Sequence, residues 1–235
     1  MCTTLPAATP ITTTSMTTDL QLTRLLQLAS PALPVGAFSY SQGLEAAVEA
    51  GVVRDTAAAA CWIGEVLEHS VGSMEAPILL RLCDAWGQGD AKEVARWNAE
   101  FLASRETAEL RAETAQMGWA LARLLADLGL PRIEIEEIAF PTAFAHAVAE
   151  WRIPPQSALV AYLWAWAENQ VMAALKTVPL GQTDGQRILL ALGERLESVA
   201  TRAAALDDDA LGNFAPGLAV LSARHETQYS RLFRS

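Results

Sequence analysis

The sequence predicts an all-α fold, a single-domain helical bundle of roughly ten helices behind a flexible N-terminal tail. Three observations predict it. Apolar residues recur with the helical period along the whole chain, and no run alternates convincingly with period two. Capping residues open most of the periodic runs, and Gly or Pro closes many of them. The connections are short and polar, with no repeat at a fixed period. With 235 residues, 51% of them hydrophobic, and a mean hydropathy of +0.19, the chain can bury a substantial core, which excludes global disorder.

Residues 1–19, MCTTLPAATPITTTSMTTD, are rich in Thr and Pro and lack the basic start and apolar core of a signal peptide. They read as a flexible tail whose burial cannot offset its ordering entropy, which leaves 20–235 as one helical domain. A short apolar helix around Leu25, Leu26 and Leu28 breaks at Ser30-Pro31. Pro31, Pro34 and Gly36 then set a loop, because proline fixes φ and lacks a donor. Ser39, with Gln42 three residues on, reads as a capping box for a helix striped by Leu44, Ala47 and Val48 and ended by Gly51. On its opposite face Glu45 and Glu49 stand one turn apart, an arrangement that costs roughly 0.2–0.5 kcal/mol in an isolated helix. Such a pair is either a solvated acidic face or a docking face awaiting a basic partner.

Asp55 caps the next helix, with Ala58, Trp62, Val66 and His69 on one face. Another runs from about Met74 to Trp86 with Ile78, Leu79, Leu82 and Trp86 inward. Pro77 holds its start to the residues just before it, and Gly87 and Gly89 end it. Asp90 and Glu93 open a helix with Val94, Trp97 and Phe101 at core spacing. A long helix from about Arg105 to Leu128 carries Leu110, Met117, Leu121, Leu124 and Leu128, and Gly129 and Pro131 stop it. Residues 131–155 are the least readable: IEIEEI has strand-like composition but no partner run, so it is expected to join a helix or loop. A short helix around Phe144 to Trp151 follows.

The segment 158–175, ALVAYLWAWAENQVMAAL, is apolar nearly all round. Glu168, Asn169 and Gln170 near its middle argue against lipid, where an acid costs about 2.5–3.5 kcal/mol. They argue for central burial, with these side chains paired to Arg or backbone on neighbouring helices. Thr183 with Gln186 caps a penultimate helix carrying Leu189, Leu192, Leu196 and Val199. Pro216 opens the last helix, whose pattern of Leu218, Leu221, His225, Tyr229 and Leu232 extends towards the terminus.

A net charge of −10 and a pI near 4.8 disfavour nucleic acid and anionic membrane as partners. Only Lys92 and Lys176 are lysines among 17 basic residues. Arginine suits protein contacts, although a GC-rich genome gives the same bias. The three cysteines, Cys2, Cys61 and Cys83, have no paired or metal-like spacing. An odd count without a secretory signal fits a reducing cytoplasm. No active site is legible. His69, His146 and His225 lie far apart and outside any metal-binding spacing, and there is no phosphate loop and no GxSxG elbow. Arg224, His225 and Glu226 concentrate charge, but adjacent helical residues diverge by about 100° and do not converge on one point. No catalytic residue, metal or cofactor is therefore predicted. Phe233 and Leu232 are awkward on a free terminus, and with Tyr229, Arg224, Arg231 and Arg234 they have the chemistry of interface anchors.

Four blocks carry a resemblance: PVGAFSYSQGLEAAVEAG at 34–51, SRETAELR at 104–111, AALKTVPLGQ at 173–182 and SARHETQYSRLFRS at 222–235. In this order they resemble the urease accessory protein F family, which helps load nickel into urease. The resemblance implies an all-helical, dimeric, non-enzymatic scaffold in the cytoplasm. It would bridge accessory protein D (H in some organisms), which contacts apo-urease, and accessory GTPase G, which carries nickel. Carried over position by position, it implies partner-binding roles for Tyr40, Glu45, Lys176, Gln182, Arg224, His225, Tyr229, Arg231, Leu232 and Phe233. Glu45 and Lys176 would face the GTPase, unless they form an internal pair. Tyr229, Arg231, Leu232 and Phe233 are expected to be mobile until they order against accessory protein D. Two rival classes stand beside this reading. One is a true GTPase-activating protein inserting an arginine finger. The other is a small-molecule enzyme built around Glu168 and Lys176, marked by a convergent pocket with shifted groups.

Overall fold

The computed structural model describes residues 17–235, and every regular element among them is helical. Helix α1 (Asp19–Leu28) is opened by Thr18, whose hydroxyl accepts from the Gln21 N–H while the Gln21 side chain accepts from the Thr18 N–H. Thr17 adds a hydroxyl contact of 2.9 Å to Ser157. Thr17 and Thr18, which the sequence reading places in the tail, thus make defined contacts, because a reciprocal cap fixes the helix start. The rest of the predicted tail, 1–16, lies outside the described residues.

After the loop 29–43 comes α2 (Leu44–Glu49), with Leu44 and Ala47 fully buried. From Thr56 to Gln88 the chain is one rod: α3 (Thr56–Val66), a π-helical stretch over Leu67–Glu75, and α4 (Ala76–Gln88). The sequence predicts two helices here, the second starting at about Met74 because Pro77 holds its start to the residues just before it. Proline removes the donor that would satisfy the Ser73 carbonyl four residues earlier. The Gly212 N–H supplies it instead at 3.2 Å, the Phe214 N–H donates to the His69 carbonyl at 3.0 Å, and the Ser73 hydroxyl donates to Gly212 O at 2.7 Å. The wider turn frees these carbonyls for the 212–214 loop, so the helix continues through its proline. On α3 the buried face is Ala59, Ile63 and Val66, with Trp62 half-buried and His69 exposed. The predicted stripe is thus rotated by about one residue.

Asp90 accepts from the Lys92 and Glu93 N–H groups and opens α5 (Ala91–Ala103), which buries Val94, Trp97 and Phe101 as its spacing predicts. Thr107 caps α6 (Ala108–Asp127). Leu110, Met117 and Leu121 are buried there, but Leu125 takes the place expected for Leu124, and Leu128 is exposed. The IEIEEI stretch is loop. Asn98 holds its end, donating to Glu137 O at 2.9 Å and accepting from the Ala139 N–H at 2.9 Å and the Thr142 hydroxyl at 2.8 Å. Gly118 lets α6 press against the same backbone: a Cβ there would fall 2.2 Å from Ile138 O and 2.6 Å from Ala139 C. With these groups satisfied by a side chain and a close helix, a strand ladder has nothing to offer the segment.

Helix α7 (Phe140–Glu150) is buried nearly all round, and α8 (Pro155–Thr177) runs through the centre, packed on α9 (Gln182–Ala204), α2 and α4. Leu189, Leu192, Leu196 and Val199 of α9 are all buried. Its cap is Gly181 rather than the predicted Thr183–Gln186 box, because the helix begins at Gln182, ahead of both. In the polar middle of α8, the Asn169 amide donates to Tyr40 O at 3.2 Å, and Gln170 is buried with an unpaired amide nitrogen. Glu168 has its carboxyl raised by burial. Among the described residues no helix is long and apolar enough to cross a membrane. Helix α10 (Pro216–His225) packs on α2 and ends at His225, well before the terminus its pattern was expected to reach.

Candidate functional site

The loop before α2 and the segment after α10 are built for each other. Gly43 adopts φ +77, and the Leu218 side chain and Ser222 backbone lie 3.2 and 3.4 Å from where its Cβ would be, so α10 seats directly on this turn. Gly43 also opens α2, so the predicted Ser39–Gln42 box does not form. Ser41 takes that role. Its hydroxyl meets the Glu45 N–H at 3.3 Å and donates to Ser235 O at 2.6 Å, while its own N–H donates to Ser235 O at 2.8 Å. The Arg234 N–H donates to Ser39 O at 2.8 Å. The chain's end is thus stitched to the loop.

Glu45 is the centre of this arrangement. Its carboxylate accepts from the Leu232 N–H at 2.7 Å and the Phe233 N–H at 2.8 Å, and one oxygen lies 3.3 Å from His225 Nε2. On the other side of the imidazole, Glu109 lies 2.7 Å from Nδ1 and also holds Arg231 at 2.6 Å. The His225 side chain is fully buried between the two acids. Both contacts are hydrogen bonds only when both ring nitrogens carry protons. Glu226 accepts from the Ala108 and Glu109 N–H groups, which closes the N-terminus of α6 with a negative charge. Segments 34–51, 104–111 and 222–235, scattered in sequence, therefore form one clasp.

Beneath it lies a second, buried layer. Ser235 donates its hydroxyl to Glu113 at 2.6 Å, Gln42 donates to the other oxygen at 2.7 Å, and the Trp166 indole donates to Gln42 at 2.7 Å. Burial pushes the Glu113 carboxyl up to about 7 despite these two donors. Tyr162 donates to Glu75, and its own hydroxyl is raised by burial and by that acid. Arg105 pairs with Glu75 at 3.4 Å. Because Glu113 binds its proton more tightly folded than unfolded, its contribution to stability is complete below the ordinary carboxyl value of 4.5 and is lost as pH rises through about 7. Glu113→Gln should therefore gain on the wild type by about 3 kcal/mol between pH 5 and pH 8 in urea unfolding. Parallel pH profiles of the two proteins would contradict this.

Of the sequence-predicted residues, Glu45, His225, Arg231, Leu232 and Phe233 meet in the clasp. Lys176 joins them, its amine 5.4 Å from the centre of the Phe233 ring. Glu45 and Lys176 do not pair with one another but hold Phe233 from two sides. Glu45 therefore does not point outward, as its exposed-face reading expects: it serves the chain's own terminus. Tyr40 is buried and donates to Gln116 at 2.8 Å. Arg224 and Gln182 are exposed, and no hydrogen bond or ion pair ties either side chain to the clasp. The tail is docked in this structure rather than loose, because Phe233 is buried and Glu45 holds two consecutive N–H groups. Tyr229 and Leu232, by contrast, turn their side chains out, at 104% and 62% exposure.

Sequence reasoning missed Glu109, Glu113 and Ser235. Glu109 and Glu113 stand one turn apart on α6, the same spacing that singles out Glu45 and Glu49, so the signal was present.

Among the described residues no cluster of three or more His, Cys, Asp or Glu side chains is placed to hold a metal ion. The family model UreF matches residues 53–193. Similar chains include the urease accessory protein UreF of Azoarcus sp. (strain BH72), 60% identical over 225 residues, covering 92% of this chain and 96% of that one. That of Dechloromonas aromatica (strain RCB) is 56% identical over 228 residues, covering 94% and 100%. That of Ralstonia pickettii (strain 12J) is 53% identical over 230 residues, covering 94% and 100%. Identity at this level over more than nine-tenths of the chain, with the family model matching residues 53–193, shows that the chain belongs to the UreF family of urease accessory proteins.

Proposed function

We propose that this protein is a non-enzymatic scaffold in urease maturation. It bridges accessory protein D/H and accessory GTPase G so that GTP-dependent nickel delivery to apo-urease proceeds, and it works as a homodimer in the cytoplasm. The observation that carries this reading is how the tail is held. Its backbone is fixed at Glu45 and its Phe233 is buried, yet Tyr229 and Leu232 are offered to solvent. An aromatic and an aliphatic anchor on a braced segment bind a partner with little further loss of entropy. Accessory protein D/H is assigned to this surface, with Arg224 at its edge. The GTPase is assigned to the side of Lys176 and Gln182, where Glu45 acts indirectly by seating Phe233 against Lys176. The net charge of −10 speaks against nucleic acid or an anionic membrane as the partner.

Co-purification of the tagged chain with the urease operon products tests the reading: D/H, G and apo-urease should be retained together. Retention of none of them would overturn it. Stimulated GTP hydrolysis by pure protein, lost on one arginine substitution, would instead favour the GTPase-activating alternative.

A further inference from the structure

His225 closes the clasp through contacts that depend on a proton. Its side chain is fully buried, with Nδ1 2.7 Å from a Glu109 oxygen and Nε2 3.3 Å from a Glu45 oxygen. A neutral imidazole has one N–H and one lone pair, so it serves only one of the two acids. With both nitrogens protonated it donates to each, and the cation lies between carboxylates that are only 12% and 15% exposed. The other charges nearby are already engaged or turned outward. Arg231 of the tail takes the second Glu109 oxygen at 2.6 Å, and Lys176 of α8 lies 5.4 Å from the centre of the Phe233 ring. On α6, Glu113 accepts from Ser235 and Gln42. Glu49 on α2 and Arg224 on α10 are exposed, and Glu226 caps α6.

We infer that His225 is a proton-operated latch for the C-terminal segment. Protonated, it supplies the countercharge and the donor that keep the Glu45 carboxylate in place to hold the Leu232 and Phe233 N–H groups. When the proton leaves, the remaining N–H stays with Glu109, the nearer acceptor. Nε2 then turns a lone pair towards the Glu45 oxygen that also accepts from the Phe233 N–H. Two acceptors facing each other in a buried site repel, and Glu45 is left without its countercharge. The ties further along, from the Arg234 N–H to Ser39 O and from Ser41 to Ser235 O, involve no titrating group. The grip on residues 232 and 233 is therefore the part that a proton controls. A contact that requires the proton is complete at low pH and is lost as pH rises, so the latch opens in the alkaline direction. It belongs to the isolated chain and does not depend on the partner proposed above.

Hydrogen exchange of the isolated full-length chain tests it, read as the protection factors of the Leu232 and Phe233 amides, which remove the intrinsic pH dependence of exchange. Between about pH 5.5 and about pH 8.5 both factors should fall about ten- to a hundredfold, the worth of one charge-assisted hydrogen bond, while those of the α8 core stay high. His225→Gln, which cannot gain a proton, should make the two factors independent of pH. Glu109→Gln keeps the latch shut by another route. Its amide donates to Nδ1 and its carbonyl accepts from Arg231, so a neutral imidazole satisfies both neighbours and protection should persist at pH 8.5. Glu113, pushed up to about 7 by burial, titrates in the same window, so Glu113→Gln is the control and should keep the wild-type fall. Wild-type factors that do not change with pH, a fall that survives His225→Gln, an equal fall in Glu109→Gln, or one abolished by Glu113→Gln would each overturn the proposal.

Discussion

Glu45→Ala should unfold in urea at a stability lower than wild type by about 2–4 kcal/mol, and the amides of Leu232 and Phe233 should lose protection from hydrogen exchange. The substitution removes a charged acceptor from two backbone N–H groups, a type of bond worth about 1.5–3 kcal/mol. It also strips one carboxylate from a fully buried imidazole, leaving His225 with Glu109 alone. Glu49, one turn on, is exposed, so Glu49→Ala should stay within about 0.5 kcal/mol of wild type. Equal stability of the two variants would show that the clasp contributes nothing.

The second large effect is expected at Gly118. A methyl group there would meet backbone atoms at 2.2, 2.6 and 2.8 Å, none of which can move aside by changing rotamer. Gly118→Ala must therefore part α6 from residues 138–140 and strain the Asn98 bonds that hold them, at about 3 kcal/mol. Gly87 is the control. It also lies in a helix, but nothing stands within 4 Å of its Cβ position. Gly87→Ala should stabilise by about 0.5–1 kcal/mol. Thermal melts of the two variants moving in the same direction would contradict this packing.

The helices were legible because each buries a stripe with its own period. Val94, Trp97 and Phe101, or Leu189, Leu192, Leu196 and Val199, need no tertiary knowledge to be read. The errors fall where distant residues decide the local outcome. Pro77 looks like a boundary until the loop at 212–214 supplies donors to the carbonyls of Ser73 and His69. IEIEEI, by contrast, was expected to join a helix or loop for want of a partner run, and it is loop, its end held by Asn98 and Gly118. The candidate site was half legible for the same reason. The paired acids Glu45 and Glu49 on α2 announced a demand for donors, while the same spacing of Glu109 and Glu113 on α6 went unread. No local signal says that the donors are the chain's own Leu232, Phe233, Arg231 and Ser235. The resemblance marked the right segments but not their mutual contacts, so the tail was expected to be loose when it is clasped. Exposed Tyr229 and Leu232 fit the interface chemistry read from the sequence, while Phe233 beside them belongs to this protein's own packing.

In the proposed function the clasp holds Tyr229 and Leu232 ready for a partner in urease maturation. Titration calorimetry of accessory protein D/H against the Tyr229→Ala, Leu232→Ala double variant isolates that role, because neither side chain is buried and folding should be untouched. Two anchors of the usual hot-spot strength predict a loss of affinity of about 100-fold or more with an unchanged melting temperature. An affinity equal to wild type in a fully folded variant would contradict the account.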